Sequence, residues 1–181
     1  MAHTFYHEPV ARDEPQMPEG YVPADSAHDL LTWDEVNVRL EEAAHYWIAT
    51  SRPDGRPHMV PRWGAWINNR LFYDGSPDTV HARNVRQNSA CSMHVGDGVK
   101  SVIVEGYAEA CHPLAADSDI AQAVAAAIGG KYGAQGYAPA PDSWSGENAG
   151  GLAVLTPVKV LAWFSFPGDL TRFRFPPADK R

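Results

Sequence analysis

Cysteine is scarce in this chain, with only Cys91 and Cys111 among 181 residues, far apart and in no Cys-x-x-Cys pattern. A disulfide framework or a cysteine-built metal centre has no basis here, and reduced, buried thiols are expected. No apolar run approaches the ~20 residues needed to cross a bilayer. The opening residues, Met-Ala-His-Thr-Phe-Tyr-His-Glu-Pro, lack a basic stretch followed by an apolar one, so a cytoplasmic location is expected. Excess positive charge is also missing: 15 basic against 22 acidic residues leave a net charge of -7. Such a surface cannot neutralise a phosphate backbone, so neither nucleic acid nor a membrane is an expected partner. The eight histidines form no close ligand spacing such as His-Glu-x-x-His, so no metal centre is expected. No Ser-His-Asp set or paired carboxylates stand out by spacing, which leaves hydrolysis without support.

What is present is concentrated between His45 and Trp66. Tyr46–Ser51 reads as a strand, Arg52-Pro-Asp-Gly55 as a turn, Pro57–Ile67 as a second strand, Asn68-Asn69 as a turn and Leu71–Tyr73 as a third strand. Hairpin-length connections exclude parallel crossovers in this part of the chain. Before it, Thr32-Trp-Asp-Glu35 forms a candidate capping box, and Val36, Leu40, Ala43 and Ala44 recur at helical spacing, predicting a helix from about Trp33 to Ala44. Residues 1–27 carry Pro9, Pro15, Pro18 and Pro23 without either period, and read as an extended or disordered arm ahead of a domain over 28–181.

Downstream, Val80, Asn84 and Val85 lie at helical spacing behind a possible Asp78 cap. Strands are expected at Ala90–Val95 and Ser101–Ala110, around a Gly96-Asp-Gly98 turn. Ala115–Ile128 reads as a helix ended by Gly129-Gly130. The Gly-, Pro- and Ser-rich run from Tyr132 to Gly151 is either a lid or a disordered surface insertion. Short strands at Ala153–Leu155, Val158–Phe166 and Thr171–Phe175, broken by Pro157 and Pro167-Gly168, finish the chain. Six or seven strands with two or three helices predict an α+β fold built on an antiparallel barrel.

In order and spacing, several pieces together resemble the pyridoxamine 5'-phosphate oxidase-like split β-barrel family, in its flavin- and deazaflavin-dependent oxidoreductase branch. They are Tyr46–His58, Leu71-Phe-Tyr73, Ala82-Arg-Asn-Val85 with Asn88, Val104-Glu-Gly106, and Val158–Trp163 leading to Thr171–Phe175. The resemblance implies a homodimer with two cofactor sites at the subunit interface, and FMN or the deazaflavin coenzyme F420 as redox cofactor. It implies backbone contacts to the ring from Val60, Pro61, Arg62 and Trp63, and places Tyr73, Asp74, Thr79, His81 and Arg83 near the phosphate. Lys100, Ser101, Trp163 and Arg172 match positions that approach cofactor or substrate, in some members from the second subunit.

The residues also allow plainer readings. Trp63 and Trp66, three apart on one strand, point to opposite faces, so at least one belongs to core or interface. Trp163 is either a plug closing the barrel or a stacking platform. Where members that hold a phosphorylated flavin tightly carry an Arg and a Lys, this chain has Val80 and His81. Losing both cations removes strong charge-assisted bonds, although the helix start near Thr79, Arg62 or Arg83 could compensate. The expected function is an oxidoreductase passing hydride from a reduced flavin or deazaflavin to a conjugated small molecule. A non-catalytic flavin- or tetrapyrrole-binding protein on the same fold is the alternative, and pyridoxamine 5'-phosphate oxidation ranks last.

Overall fold

The computed structural model describes residues 8–21, 29–146 and 151–176. Within these residues the chain forms nine strands and three α-helices, numbered β1 to β9 and α1 to α3 in chain order. The parts of the N-terminal arm at 1–7 and 22–28, and residues 147–150 of the expected lid, lie outside the described residues.

The first helix, α1 (Trp33–Glu42), begins where its capping box predicts. Thr32 Oγ1 accepts from the Glu35 amide at 3.4 Å, and Glu35 Oε2 accepts from the Thr32 amide at 2.8 Å. Val36 and Leu40 are its buried residues. Substituting Thr32 by alanine leaves one orphan amide unpaired and is expected to cost about 1 kcal/mol, a drop of roughly 2–4 °C in thermal midpoint measured by calorimetry.

A hairpin follows, β2 (Tyr46–Ser51) against β3 (Pro57–Arg62). The single strand expected over 57–67 is in fact two, because the chain breaks at Trp63 and leaves β3 to form β4 (Gly64–Ile67), which pairs with β5 (Arg70–Asp74). The turn between them puts Asn68 and Asn69 at φ 50° and 59°, the left-handed pair that a tight hairpin requires and asparagine tolerates.

Helix α2 (Val80–Gln87) is capped by Thr79 rather than Asp78, Thr79 Oγ1 accepting from the Ala82 amide at 3.2 Å. It is followed by β6 (Ala90–Gly96) and β7 (Ser101–Ala110). Helix α3 runs over Asp119–Tyr132, four residues later than expected at each end. Ser118 Oγ accepts from the Ala121 amide, which sets the start, and Gly129-Gly130 pass through the helix because its buried face, Val124, Ile128 and Tyr132, continues beyond them. Tyr132 Oη accepts from the Gly64 amide and shares its proton between the Gly64 and Ala44 carbonyls, all at 3.1 Å.

The expected break at Pro157 does not occur. Strand β8 is continuous over Leu152–Trp163 because Pro157 sits beside a bulge opposite Glu105 and Gly106, where the ladder is already irregular. A Cβ at Gly106 would lie 2.1 Å from the Thr156 carbonyl oxygen, so only glycine permits this crossing. β8 pairs with β7 along its length, with β5 through its first half and with β9 (Thr171–Arg174) through its second. The order β1-β9-β8-β7-β6-β2-β3, with β4-β5 branching from β8, is the expected antiparallel α+β split barrel. Ile48, Leu71, Met93, Val104, Leu155 and Val160 fill its interior, and α3 seals a second cluster around Phe72, Val124 and Ile128.

In the N-terminal segment, β1 (Ala11–Asp13) pairs with β9. Asp13 receives Arg172 through two bonds, at 2.9 and 2.7 Å, and Arg174 at 2.7 Å, which holds its carboxyl well below the usual range. Cys91 and Cys111 are free, and burial pushes the Cys91 thiol up to about 12. No helix among the described residues is long and apolar enough to cross a membrane.

Candidate functional site

Strand β5 ends and α2 begins within six residues, and this short connection faces the end of β3 across the first half of β8. Between them lies a cavity of about 440 Å³, open in part to solvent, lined by Arg62, Tyr73, Asp74, His81, Arg86 and His112 among others.

Arg62 lines this cavity from the end of β3. The side chain crosses to the start of α2, one guanidinium nitrogen standing 3.5 Å from Thr79 Oγ1, while its Nε is buried without a hydrogen-bond partner. Gly75 makes the crossing possible, since a Cβ there would stand 2.5 Å from an Arg62 guanidinium nitrogen. The strand thus brings a guanidinium to the start of α2, where positions 80 and 81 are Val and His.

His81 is 2 % exposed and its Nε2 lies 2.9 Å from Tyr73 Oη. Burial, reinforced by the Arg62 charge and by His58, pushes its pKa down to about 4, so the ring is neutral at physiological pH. A neutral ring that accepts from Tyr73 at Nε2 carries its proton on Nδ1, which is buried and has no partner. The folded-state pKa lies below the ordinary value of 6.5, so the unfolded chain binds more protons between them. Stability from His81 is therefore present above pH 6.5 and lost as pH falls through about 4, amounting to at most about 3 kcal/mol. Urea titrations from pH 7 to 4 should show this loss, and His81→Gln should flatten it.

Asp74 borders the cavity on the other side. Burial pushes its pKa up, opposed by hydrogen bonds from Tyr137 and Trp144 and by the Arg62 charge. Tyr137 donates directly to Asp74 Oδ2. Tyr137 and Trp144 belong to the segment expected as a lid, but described residues 133–146 form two short 3₁₀ turns, and Trp144 is 1 % exposed in the core under α3. This part of the segment is pinned to the core by the buried Trp144, with Tyr137 half-buried beside Asp74.

Four of the residues singled out from sequence thus line one cavity: Arg62, Tyr73, Asp74 and His81. Thr79 touches Arg62 but does not line the space, and the exposed Arg83 turns to the Asp78 carbonyl. Val60 and Pro61 lie along β3 without reaching the cavity. Trp63 turns away from it, its ring stacked on Tyr132 with centroids 4.8 Å apart and its Nε1 donating to His45 Nε2 at 3.1 Å. Trp66 is buried in the barrel interior. Ser101 and Trp163 pair across β7 and β8 at the other end of the sheet, near Lys100, and Trp163 Nε1 donates to the Gly98 carbonyl at 3.4 Å. Arg172, next to them in the sheet, is engaged by Asp13. Sequence reasoning missed Arg86, His112 and Tyr137. Ala82, Val85 and Arg86 share the helical face toward the cavity, a spacing visible in the sequence, whereas nothing local signals His112 or Tyr137.

Residues 32–164 match the profile of a family described as pyridoxamine 5'-phosphate oxidase. No curated protein matches the chain. Among solved structures, a conserved hypothetical protein from Mycobacterium tuberculosis superposes with a TM-score of 0.60 at 20 % identity, covering 77 % of this chain and 87 % of that one. A FAD-binding protein from Mesorhizobium loti gives 0.57 at 20 %, covering 79 % and 95 %. An F420 reductase gives 0.53 at 24 %, covering 68 % and 94 %. At these identities the likeness is one of fold.

Proposed function

Because the chain belongs to the pyridoxamine 5'-phosphate oxidase family, we propose that it is an oxidoreductase that holds a reduced flavin or deazaflavin, FMN or coenzyme F420, and passes hydride to a conjugated small molecule. The observation that carries this reading is the meeting of Arg62, Tyr73, Asp74 and His81 around one cavity, with Arg62 Nε and His81 Nδ1 left without hydrogen-bond partners. Buried donors are normally satisfied, which supports an anionic ligand group at this end of the cavity. The residues fit the phosphate end of such a cofactor: a guanidinium, a neutral imidazole donor and the start of α2 converge there. The bound ring supplies the hydride chemistry, and the protein's part is to bind and orient it.

The exposed face of β2, β3 and β7 carries Trp47, Met59 and Tyr107, each about half exposed, beside a groove of about 1,010 Å³. Apolar residues grouped in this way support a homodimer through that face. Light scattering on purified protein tests this, a monomer at micromolar concentration overturning it.

Titration of the purified protein with FMN and with coenzyme F420, followed by fluorescence, tests the cofactor reading. Binding of either, with oxidation of its reduced form by a quinone or enone acceptor, is the expected result, and binding of neither overturns it. The second reading, a binding protein without turnover that holds a flavin or a tetrapyrrole, is favoured by Val80 and His81 in place of two cations. A bound chromophore that no acceptor reoxidises after reduction would select it.

A further inference from the structure

We propose that strand β1 is a displaceable strap, and that the Asp13 carboxylate it carries fills an oxyanion site built by Arg172 and Arg174 of β9. When the strap lifts, the same two guanidiniums take a small external oxyanion, a carboxylate or a phosphate group. The site lies at the edge of the sheet, beside the second half of β8, whereas the Arg62 cavity adjoins the first half, so the two are separate.

The receptor belongs to β9. Arg172 and Arg174 stand two apart on one strand and share a face. Arg172 meets the carboxylate as a fork, its Nε donating to Asp13 Oδ1 at 2.9 Å and its Nη2 to Oδ2 at 2.7 Å, and Arg174 Nη1 adds a third bond to Oδ2 at 2.7 Å. The Arg172 side chain is only 23 % exposed, which leaves the fork little freedom. Lys159, opposite Arg174 across the ladder, is paired with Glu105 at 2.7 Å and does not draw on Asp13. Two guanidiniums therefore share one carboxylate. The planar guanidinium fork matches the oxygens of carboxylate and phosphate alike.

The segment that carries the carboxylate is lightly held. β1 is three residues long, lies at the end of the sheet and pairs with β9 alone. None of the described residues 8–21 is buried, and Val10 is 69 % exposed. What fixes the strap is backbone pairing, such as the Val10 amide on the Arg174 carbonyl at 2.8 Å, together with Arg12 Nη1 on the Leu31 carbonyl at 3.1 Å and the Asp13 bonds. A segment with exposed backbone bonds and no buried apolar side chain opens at low free energy. The two arginines hold the Asp13 carboxyl well below the usual carboxylate range, so mild acid does not release it. A competing oxyanion does, because it offers the arginines the same bonds.

Hydrogen exchange of the full chain at pH 7.5, followed by mass spectrometry in phosphate, acetate and chloride at matched ionic strength, reads the strap directly. Phosphate or acetate is expected to speed exchange at residues 10–13 by about threefold or more over chloride, with the amides of β7 unchanged. Phosphate acting alone assigns the site to phosphoryl groups, acetate alone to carboxylates, and both together to either. In phosphorus NMR titrations, Asp13→Asn is expected to gain about tenfold in affinity for inorganic phosphate over the unaltered chain, and Arg172→Met added to that variant removes the gain. Phosphate bound in the Arg62 cavity is common to all three proteins and drops out of the comparison, so the result bears on β9 whether or not the cofactor reading holds. Equal exchange in the three salts, or an Asp13→Asn variant with no gain in phosphate affinity, overturns the proposal.

Discussion

Replacing Arg62 by methionine is expected to weaken binding of the phosphate-bearing cofactor by about 30- to 150-fold while changing riboflavin affinity less than about twofold. The size follows from the loss of a charge-assisted contact worth roughly 2–3 kcal/mol. Methionine keeps an aliphatic stem at the strand end and loses the guanidinium that lies against Gly75, and the substitution removes a half-buried, incompletely paired charge. Thermal stability should therefore hold or rise. Arg62→Lys is the informative companion: it restores the charge without the fork, and should recover only part of the affinity. Equal loss for riboflavin and the phosphorylated ligand would place Arg62 under the ring or in the fold, and would remove the phosphate assignment.

Trp144→Ala should be the most damaging single change to stability in the 133–146 segment. The indole is 1 % exposed and belongs to the cluster formed by α3, β4, β5 and β8, so its removal leaves a cavity and is expected to cost about 3–5 kcal/mol. For a chain of this length that lowers the thermal midpoint by roughly 10 °C or more, readable by calorimetry. Trp144→Phe, which fills much of the space and loses the bond to Asp74, should cost far less. A loss under about 1 kcal/mol for the alanine variant would show that the segment detaches from the core in solution, as a lid would.

The two hairpin turns between Tyr46 and Tyr73 were legible because local chemistry fixes them: Pro-Asp-Gly and Asn-Asn each admit a narrow set of turns, whereas the break at Trp63 that splits the strand between them was not. Where the reading slipped, a distant partner decided the outcome. Gly129-Gly130 would end an isolated helix, but Tyr132 is anchored by the Gly64 backbone 68 residues away. Pro157 would end an isolated strand, but the bulge at Gly106 accommodates it. Asp13 and Arg172 meet across 159 residues, a distance over which no spacing rule operates.

The same distinction runs through the candidate site. Tyr73, Asp74 and His81 were within reach of sequence reasoning because the turn from β5 into α2 holds them together. Arg62 entered the list as a strand residue near a ring, and only the structure reveals its crossing to Thr79 at the start of α2. Trp63 was expected to offer backbone to a planar ring, with core or interface as the alternative for its side chain, and the break after β3 stacks that side chain on Tyr132.

The continuity of β8 has a consequence for how the chain acquires its shape. Leu71 pairs with Leu155, Val104 with Val160, and Arg172 with Leu161, so three separate portions of sheet share one late segment as their common neighbour. As the chain leaves the ribosome, the hairpins of β2 to β5 and of β6 to β7 can form early, but each keeps an open edge until residues 152–163 emerge. Closure then joins pieces more than eighty positions apart in a single step, and such long-range closure favours slow, all-or-none acquisition of the barrel. Until that step two of the cavity's lining residues, Leu152 and Ala153, are missing, and the cavity and the barrel come into existence together.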